Sequence, residues 1–270
     1  TARRRERFSG TATIKARRRV RHLVCTIVAA WQVFEDRPLA VAANRDESPD
    51  RPSRPPEVVS GPPDALLPRD VRAGGTWIGI NEAGLFVTIA NRWTDADRDG
   101  ARSRGLLVRD VLATSSVAEA RDLVREATAE TVYEGFSLLV ATRDAATVLT
   151  WDGVLQERDL DPGVHVLVNV GSDGEYDIPN RRARVAERQA ANADRLRAVL
   201  EPAANETGRT WLDRAGRVLA DHEYGVCLHH ERYQTGSSSL VSVDDGGAVD
   251  WAYADGPHCT VAFEPVDGEI

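Results

Sequence analysis

Three cysteines in 270 residues, none of them in a CxxC pair, are too few for a disulfide framework and argue against a zinc ribbon. Methionine is absent, and lysine occurs only at Lys15, so nearly every cation is an arginine. No apolar run approaches the roughly 20 residues of a membrane span; the longest, residues 23–33, stops well short. The P-loop, HExxH, GxSxG and GxGxxG motifs are all missing, which removes the nucleotide, zincin and serine-hydrolase signatures. What is there is a chain 42% hydrophobic and 28% charged, too apolar for disorder. It is expected to be soluble and to form one domain over residues 25–270, since a single core can grow to about 250–300 residues.

Charge is distributed unevenly. Residues 1–24 hold nine basic groups against Glu6 alone, which leaves 25 basic and 41 acidic groups, a net −16, on residues 25–270. Such a body repels nucleic acid, whose binding rests on phosphate neutralisation. It suits high salt, where self-repulsion is screened, and a halophilic source is expected. For the basic leader three readings stand: an arm for anionic partners, a targeting peptide, which lacks the apolar core of a signal, or a segment absent from the mature protein. Composition changes abruptly at Val24, and valine can be written by an alternative start codon read as methionine. Translation from Val24 with removal of the initiator would leave Cys25 as the first residue, and the third reading is the expectation.

From Cys25 the pattern reads as strands over 25–34 and 38–44, joined through Glu35-Asp36-Arg37. Seven prolines then fall in residues 48–68, which reads as an irregular loop, a wall or lid over a site. A second hairpin is expected over 76–80 and 85–90. Leu107, Val108, Val111 and Leu112, then Val117, Ala120, Val124 and Ala127, repeat at helical spacing. Strands follow over 136–142, 147–151 and 164–170. A long helix over 185–200 with Pro179 as its start and a shorter one over 211–219 come next. Strands over 240–243, 249–253 and 259–263 close the chain. Hairpins grouped apart from paired helices imply antiparallel sheets covered by helices, an α+β layered fold.

Few residues stand out chemically. Asn44-Arg45-Asp46-Glu47 places four strongly polar side chains at the end of an apolar strand, as a salt-bridged strand end or as a site. Gly74-Gly75-Thr76-Trp77 is a tight turn into a strand. Gly236-Ser237-Ser238-Ser239 reads as the start of a strand whose hydroxyls cap backbone groups. Cys227, His229 and His230, with His258 and Cys259, offer metal or haem ligands without a repeated knuckle. Ordinary core or edge residues are the preferred reading, so neither a metal nor a cofactor is assigned.

The segments PLAVAANRDESPDRPSRPP (38–56), RDVRAGGTWIGINEAGLFVTIANR (69–92) and SRGLLV (103–108) resemble the NRDE family, also called transport and Golgi organisation protein 2; YGVCLH (224–229) and SSSL (237–240) resemble its closing part. The resemblance extends over most of residues 24–266. Members typically begin Met-Cys, matching Val24-Cys25, and the basic leader has no counterpart. The family in turn resembles the cysteine-type N-terminal-nucleophile hydrolases, such as penicillin V acylase and bile salt hydrolase. This implies a four-layer αββα sandwich of two antiparallel sheets. It also implies Cys25 as nucleophile, with its own α-amine as base, in an amidohydrolase-like reaction on an amide or thioester of a small acyl metabolite. Arg45 and Asp46 would activate it, and Asn91 and Asn169 would donate to the oxyanion or the amine. Asn44, Glu47, Gly75, Trp77 and Arg92 are implied as binding positions. Where the family commonly reads Gly-Thr-Arg-Ser-Ser, this chain has Gln234-Thr235-Gly236-Ser237-Ser238, so a charge there is lost or passes to Arg232. The alternative on the same fold is a non-catalytic carrier of haem or of an acyl-CoA or lipid metabolite. A small-molecule partner, no nucleic acid, no membrane and a cytoplasmic location complete the expectation.

Overall fold

The computed structural model describes residues 25–96, 98–268 and 270. In chain order the first strands are β1 (Thr26–Trp31), β2 (Leu39–Glu47), β3 (Ser53–Val59), β4 (Ala65–Asp70), β5 (Ile78–Asn81) and β6 (Phe86–Asn91), followed by helices α1 (Arg104–Val111) and α2 (Val117–Glu130). Then come β7 (Phe136–Ala141), β8 (Ala146–Trp151), β9 (Leu155–Asp159), β10 (Gly163–Val168), β11 (Gly171–Ser172) and β12 (Glu175–Tyr176). Helices α3 (Ala183–Val199) and α4 (Gly208–Ala220) precede β13 (His229–His230), β14 (Tyr233–Val243), β15 (Val249–Ala254) and β16 (Glu264–Pro265).

Among the described residues the strands form two antiparallel sheets. One runs β12-β11-β10-β1-β2-β14-β15-β16, with β13 paired to β14, and the other runs β3 to β9 in chain order. Strand β1 is buried along its whole length because both of its faces are covered, so it reads as a continuous apolar run instead of an alternation. Ile27, Ala29 and Val41 pack against Leu66, Ile80 and Phe86 between the sheets. Val28, Ala40 and Val166 pack outward under Ala186, Leu196 and Trp211 of the α3–α4 layer. Val87, Leu138 and Leu149 lie under Val108, Val111 and Val124 of the α1–α2 layer. The order of layers is αββα, as expected. The helix starts are set locally: Ser116 accepts from Glu119 N–H, and Thr207 and Thr210 form a reciprocal capping box.

Four stretches depart from the pattern reading. Residues 48–68 are not irregular but contain β3 and most of β4. Pro55 and Pro56 sit on an edge strand where the register shifts between Arg54 and Glu57, opposite Pro68, so the prolines remove few ladder bonds. Residues 259–263 are a turn in which Thr260 and Val261 N–H donate to Pro257 O, and the closing strand begins only at Glu264. The serine run is the interior of β14, not its start. Pro179 precedes a separate single turn, Asn180–Arg182, before α3. No helix among the described residues is long and apolar enough to cross a membrane. Residues 1–24, and so the leader, lie outside the described residues.

Candidate functional site

Cys25 stands immediately before β1. Thr26 pairs with Asn44 on one side and Val168 on the other, which sets Cys25 between Arg45 and Asn169. Side chains alternate across a strand, so Cys25, Ile27, Ala43 and Arg45 face the space between the sheets. They line a cleft with Trp77, Thr88, Ile89 and Ser237. Its interior is about 20 Å³, room for little more than one water. The Cys25 N–H donates to Asn169 Oδ1 at 3.0 Å, and the same oxygen accepts from Gln189 Nε2 of α3 at 2.9 Å.

Arg45 is held by a buried charge network. Its guanidinium lies 3.8 Å from both Glu47 and Asp70, and Arg51 closes the ring with contacts of 3.1 Å to Glu47 and 2.6 Å to Asp70. The indole of Trp77 covers the guanidinium, 4.1 Å from ring centre to Cζ. Burial lowers the Arg45 pKa, and Glu47, Cys25 and Asp70 oppose that shift; arginine remains a cation regardless.

Asp46 is buried, and Thr235 Oγ1 donates to its Oδ1 at 2.6 Å, while Oδ2 has no partner among the described residues. Burial raises its pKa well above the carboxylate range, against the Thr235 bond and the Arg45 charge. Cys25 is half-buried, and desolvation first, then the Asp46 carboxylate, push its thiol up to about 11; an Asp46 backbone hydrogen bond and the Arg45 charge act the other way. A second guanidinium bears on the same sulfur. Arg104, at the start of α1, donates to Gly135 O at 2.8 Å and pairs with Glu134 at 2.9 Å, and the Cys25 charge opposes the burial that lowers its pKa. Nothing local singled out Arg104 in the sequence, because only the docking of α1 brings it to Cys25.

The remaining predicted positions divide by face. Asn44 points to the helix layer: its Nδ2 donates to Leu219 O and Val226 O, both at 3.0 Å, and its Oδ1 accepts from Ser238 Oγ at 2.7 Å. Asn169 Nδ2 donates to the backbone O of Asn91 at 2.6 Å, so these two asparagines meet through a carbonyl. Glu47 accepts from Ser48 N–H as well as from Arg51. A Cβ on Gly75 would lie 2.3 Å from the Gly105 carbonyl carbon, so Gly75 is the backbone approach that seats the Trp77 loop on α1. Arg92 pairs with Asp152 and Asp177, and its backbone N–H donates to Gly135 O, the carbonyl that also accepts from Arg104. Gly236 is the extra residue where the β14 register shifts, and its missing Cβ would sit 3.5 Å from an Arg45 nitrogen. Arg232 is exposed, beside β13.

Of the metal-ligand candidates, Cys227, His229 and Cys259 converge, and His222 joins them from the turn after α4. His230 instead stacks on Tyr233 and His258 bonds Val261 O, so neither belongs to the cluster.

Residues 24–252 match the family model described as Transport and Golgi organisation 2. The Transport and Golgi organization protein 2 homolog of Bos taurus is 27% identical over 237 residues, and that of Mus musculus 31% over 240; each alignment covers 78% of this chain and 84% of the relative. Among solved structures, penicillin V acylase from Agrobacterium tumefaciens superposes with a TM-score of 0.51 at 13% identity, over 86% of each chain. A variant of conjugated bile acid hydrolase from Clostridium perfringens gives 0.54 at 12%, over 91% of this chain and 94% of that one. These two likenesses establish the fold.

Proposed function

The chain belongs to the Transport and Golgi organisation 2 family, and we propose that it is a hydrolase of small acyl amides or acyl thioesters that uses Cys25 as nucleophile once Cys25 is the first residue. One observation carries this reading: Cys25 lines the Arg45 cleft while its nitrogen meets Asn169, and the buried Asp46 has an oxygen without a partner among the described residues. A peptide nitrogen has one proton to donate. A free α-ammonium has three, enough for Asn169 and for Asp46 Oδ2.

The chemistry follows from those positions. A free α-amine near pKa 8 can take the thiol proton at neutral pH, and the ammonium formed stabilises the thiolate beside Arg45. The thiolate attacks the acyl carbon, and the Asn91 amide is the proposed donor to the oxyanion. Collapse breaks the C–N or C–S bond, the ammonium gives its proton to the leaving group, and the acyl group stays on Cys25 as a thioester. Water, deprotonated by the α-amine, then releases the acid and regenerates the thiol. Asn169, whose Oδ1 already receives the Cys25 N–H, orients the amine. The small cleft requires Trp77 to move or the acyl group to be short. The cytoplasm is the proposed place of action.

The test compares the full chain with a chain beginning at Cys25 on a panel of N-acyl amides and acyl thioesters, with Cys25→Ser and Cys25→Ala as controls. Turnover confined to the chain starting at Cys25, with an acyl mass adduct on that residue, is expected. Activity unchanged in Cys25→Ala would reject the thiol. No turnover together with saturable haem or acyl-CoA binding would favour the carrier.

A further inference from the structure

We propose that His222, Cys227, His229 and Cys259 form a four-coordinate site for a soft divalent cation, zinc above others, which fastens the segment leading into β14 to the turn before β16. The inference does not depend on Cys25 being a nucleophile.

The four ligand atoms lie within 4.8 Å of one another. Cys227 Sγ is 3.3 Å from Cys259 Sγ, and His229 Nε2 is 3.7 Å and 2.9 Å from the two sulfurs. A tetrahedral zinc with two thiolates and two imidazoles separates its donors by about 3.8 Å (S to S), about 3.5 Å (S to N) and about 3.3 Å (N to N), from its usual bond lengths. The Cys227–His229 separation already fits, and the two contacts of Cys259 are shorter than in the metal-bound geometry by about half an ångström. His222, within 4.8 Å of the other three, is the ligand that closes in when the cation binds. The Cys227–Cys259 pair is not a disulfide, whose sulfurs sit about 2.05 Å apart. Edge-to-face packing of the His222 and His229 rings, centroids 5.1 Å apart, keeps both imidazoles at the same spot.

The backbone holds these ligands independently of one another. The Asp221 side chain caps the turn that carries His222, and Gly225 ends that turn with φ 65°. Cys227 and His229 flank Leu228, whose N–H donates to Thr235 Oγ1 at 3.0 Å and whose O accepts from Thr235 N–H at 3.0 Å. Cys259 lies in the turn closed by Thr260 and Val261 onto Pro257 O. Two sulfurs and two imidazole nitrogens suit zinc and disfavour magnesium or calcium. Four protein ligands leave no open position, so the role is structural. Its reach is still functional, because Thr235, clasped by Leu228, is the residue that donates to Asp46. A cation here would fix the hydroxyl that aims the carboxylate beside Cys25.

The full chain, purified under reducing conditions without added metal, is assayed for zinc by mass spectrometry and then exchanged with cobalt. Stoichiometric zinc is expected, with thiolate-to-cobalt charge-transfer bands and the ligand-field bands of a four-coordinate ion. The exposed-ligand variants His222→Gln and Cys259→Ser should each weaken zinc binding by about 100-fold or more, since even outer partners of a metal ligand are worth 10–100-fold. His230→Gln and His258→Gln, outside the cluster, should bind as wild type does. The wild-type cobalt spectrum decides the matter even if a variant fails to fold. A wild-type protein that carries no zinc and gives no thiolate–cobalt bands would overturn the proposal. So would a Cys227–Cys259 disulfide in the reduced preparation, or zinc retained equally in His222→Gln and Cys259→Ser.

Discussion

In the full chain the Cys25 thiol is masked, and the extent of masking can be worked out. Its pKa rises from 9.0 to about 11 because the sulfur is desolvated and faces Asp46. At neutral pH a two-unit shift makes the thiolate about 100-fold scarcer. A more basic thiolate is also a better nucleophile, by about 6–10-fold for exchange with a small disulfide. The net expectation is reaction about 10-fold slower than for an ordinary thiol of equal access. In a chain beginning at Cys25, the adjacent α-ammonium adds a cation and lowers the thiol's pKa. The assay is the rate of labelling of the Cys25 peptide by a small disulfide, followed by mass spectrometry as a function of pH. The midpoint should lie near 11 for the full chain and fall clearly when the amine is exposed. A full-chain midpoint at or below about 9, the ordinary thiol range, or no fall on exposing the amine, would refute the electrostatic account of this site.

Asp46→Asn tests the buried carboxylate. Its folded pKa is raised, so ionised Asp46 destabilises the fold, and the loss sets in as pH climbs above the unfolded value near 4. The variant should be more stable than wild type at neutral pH, with the advantage vanishing towards pH 4 in urea melts, yet inactive when the chain starts at Cys25. Asn44→Ala strands two buried carbonyls and the Ser238 hydroxyl. It should lose about 3–5 kcal/mol, a melting shift on the order of 10 °C by circular dichroism, and a near-native melt would show that Asn44 is not a clamp. Gly75→Ala drives a Cβ into Gly105 backbone and should cost about 1–3 kcal/mol while loosening Trp77, read as changed tryptophan fluorescence. With −16 on residues 25–270, the melting temperature should climb from dilute buffer to molar potassium chloride; a flat profile counts against adaptation to salt.

The sequence by itself determined the elements whose burial is two-sided or strongly periodic. The apolar run of β1, the helical repeats of α2 and α4, and the polar block ending β2 are local patterns, and a local pattern suffices when the covering layers impose it. Only the family resemblance brought Cys25 together with Arg45 and Asp46. The register that sets Cys25 beside Arg45, with Thr26 opposite Asn44, is two residues off the one implied by a turn at 35–37 and was fixed by the pairing of β1 with β2. The tertiary structure decided everything that depends on the meeting of distant segments. Prolines in β3 are tolerated only because that strand is an edge with a register shift, a property of sheet order. Asn44 and Arg45 are neighbours in sequence, yet strand alternation sends one to clamp α4 and the other into the cleft. Arg104 feels the charge of Cys25 because α1 packs at Gly105 against Gly75, a meeting of distant segments. The cysteine–histidine cluster takes its fourth member, His222, from the turn after α4, and no spacing rule connects that turn to Cys259.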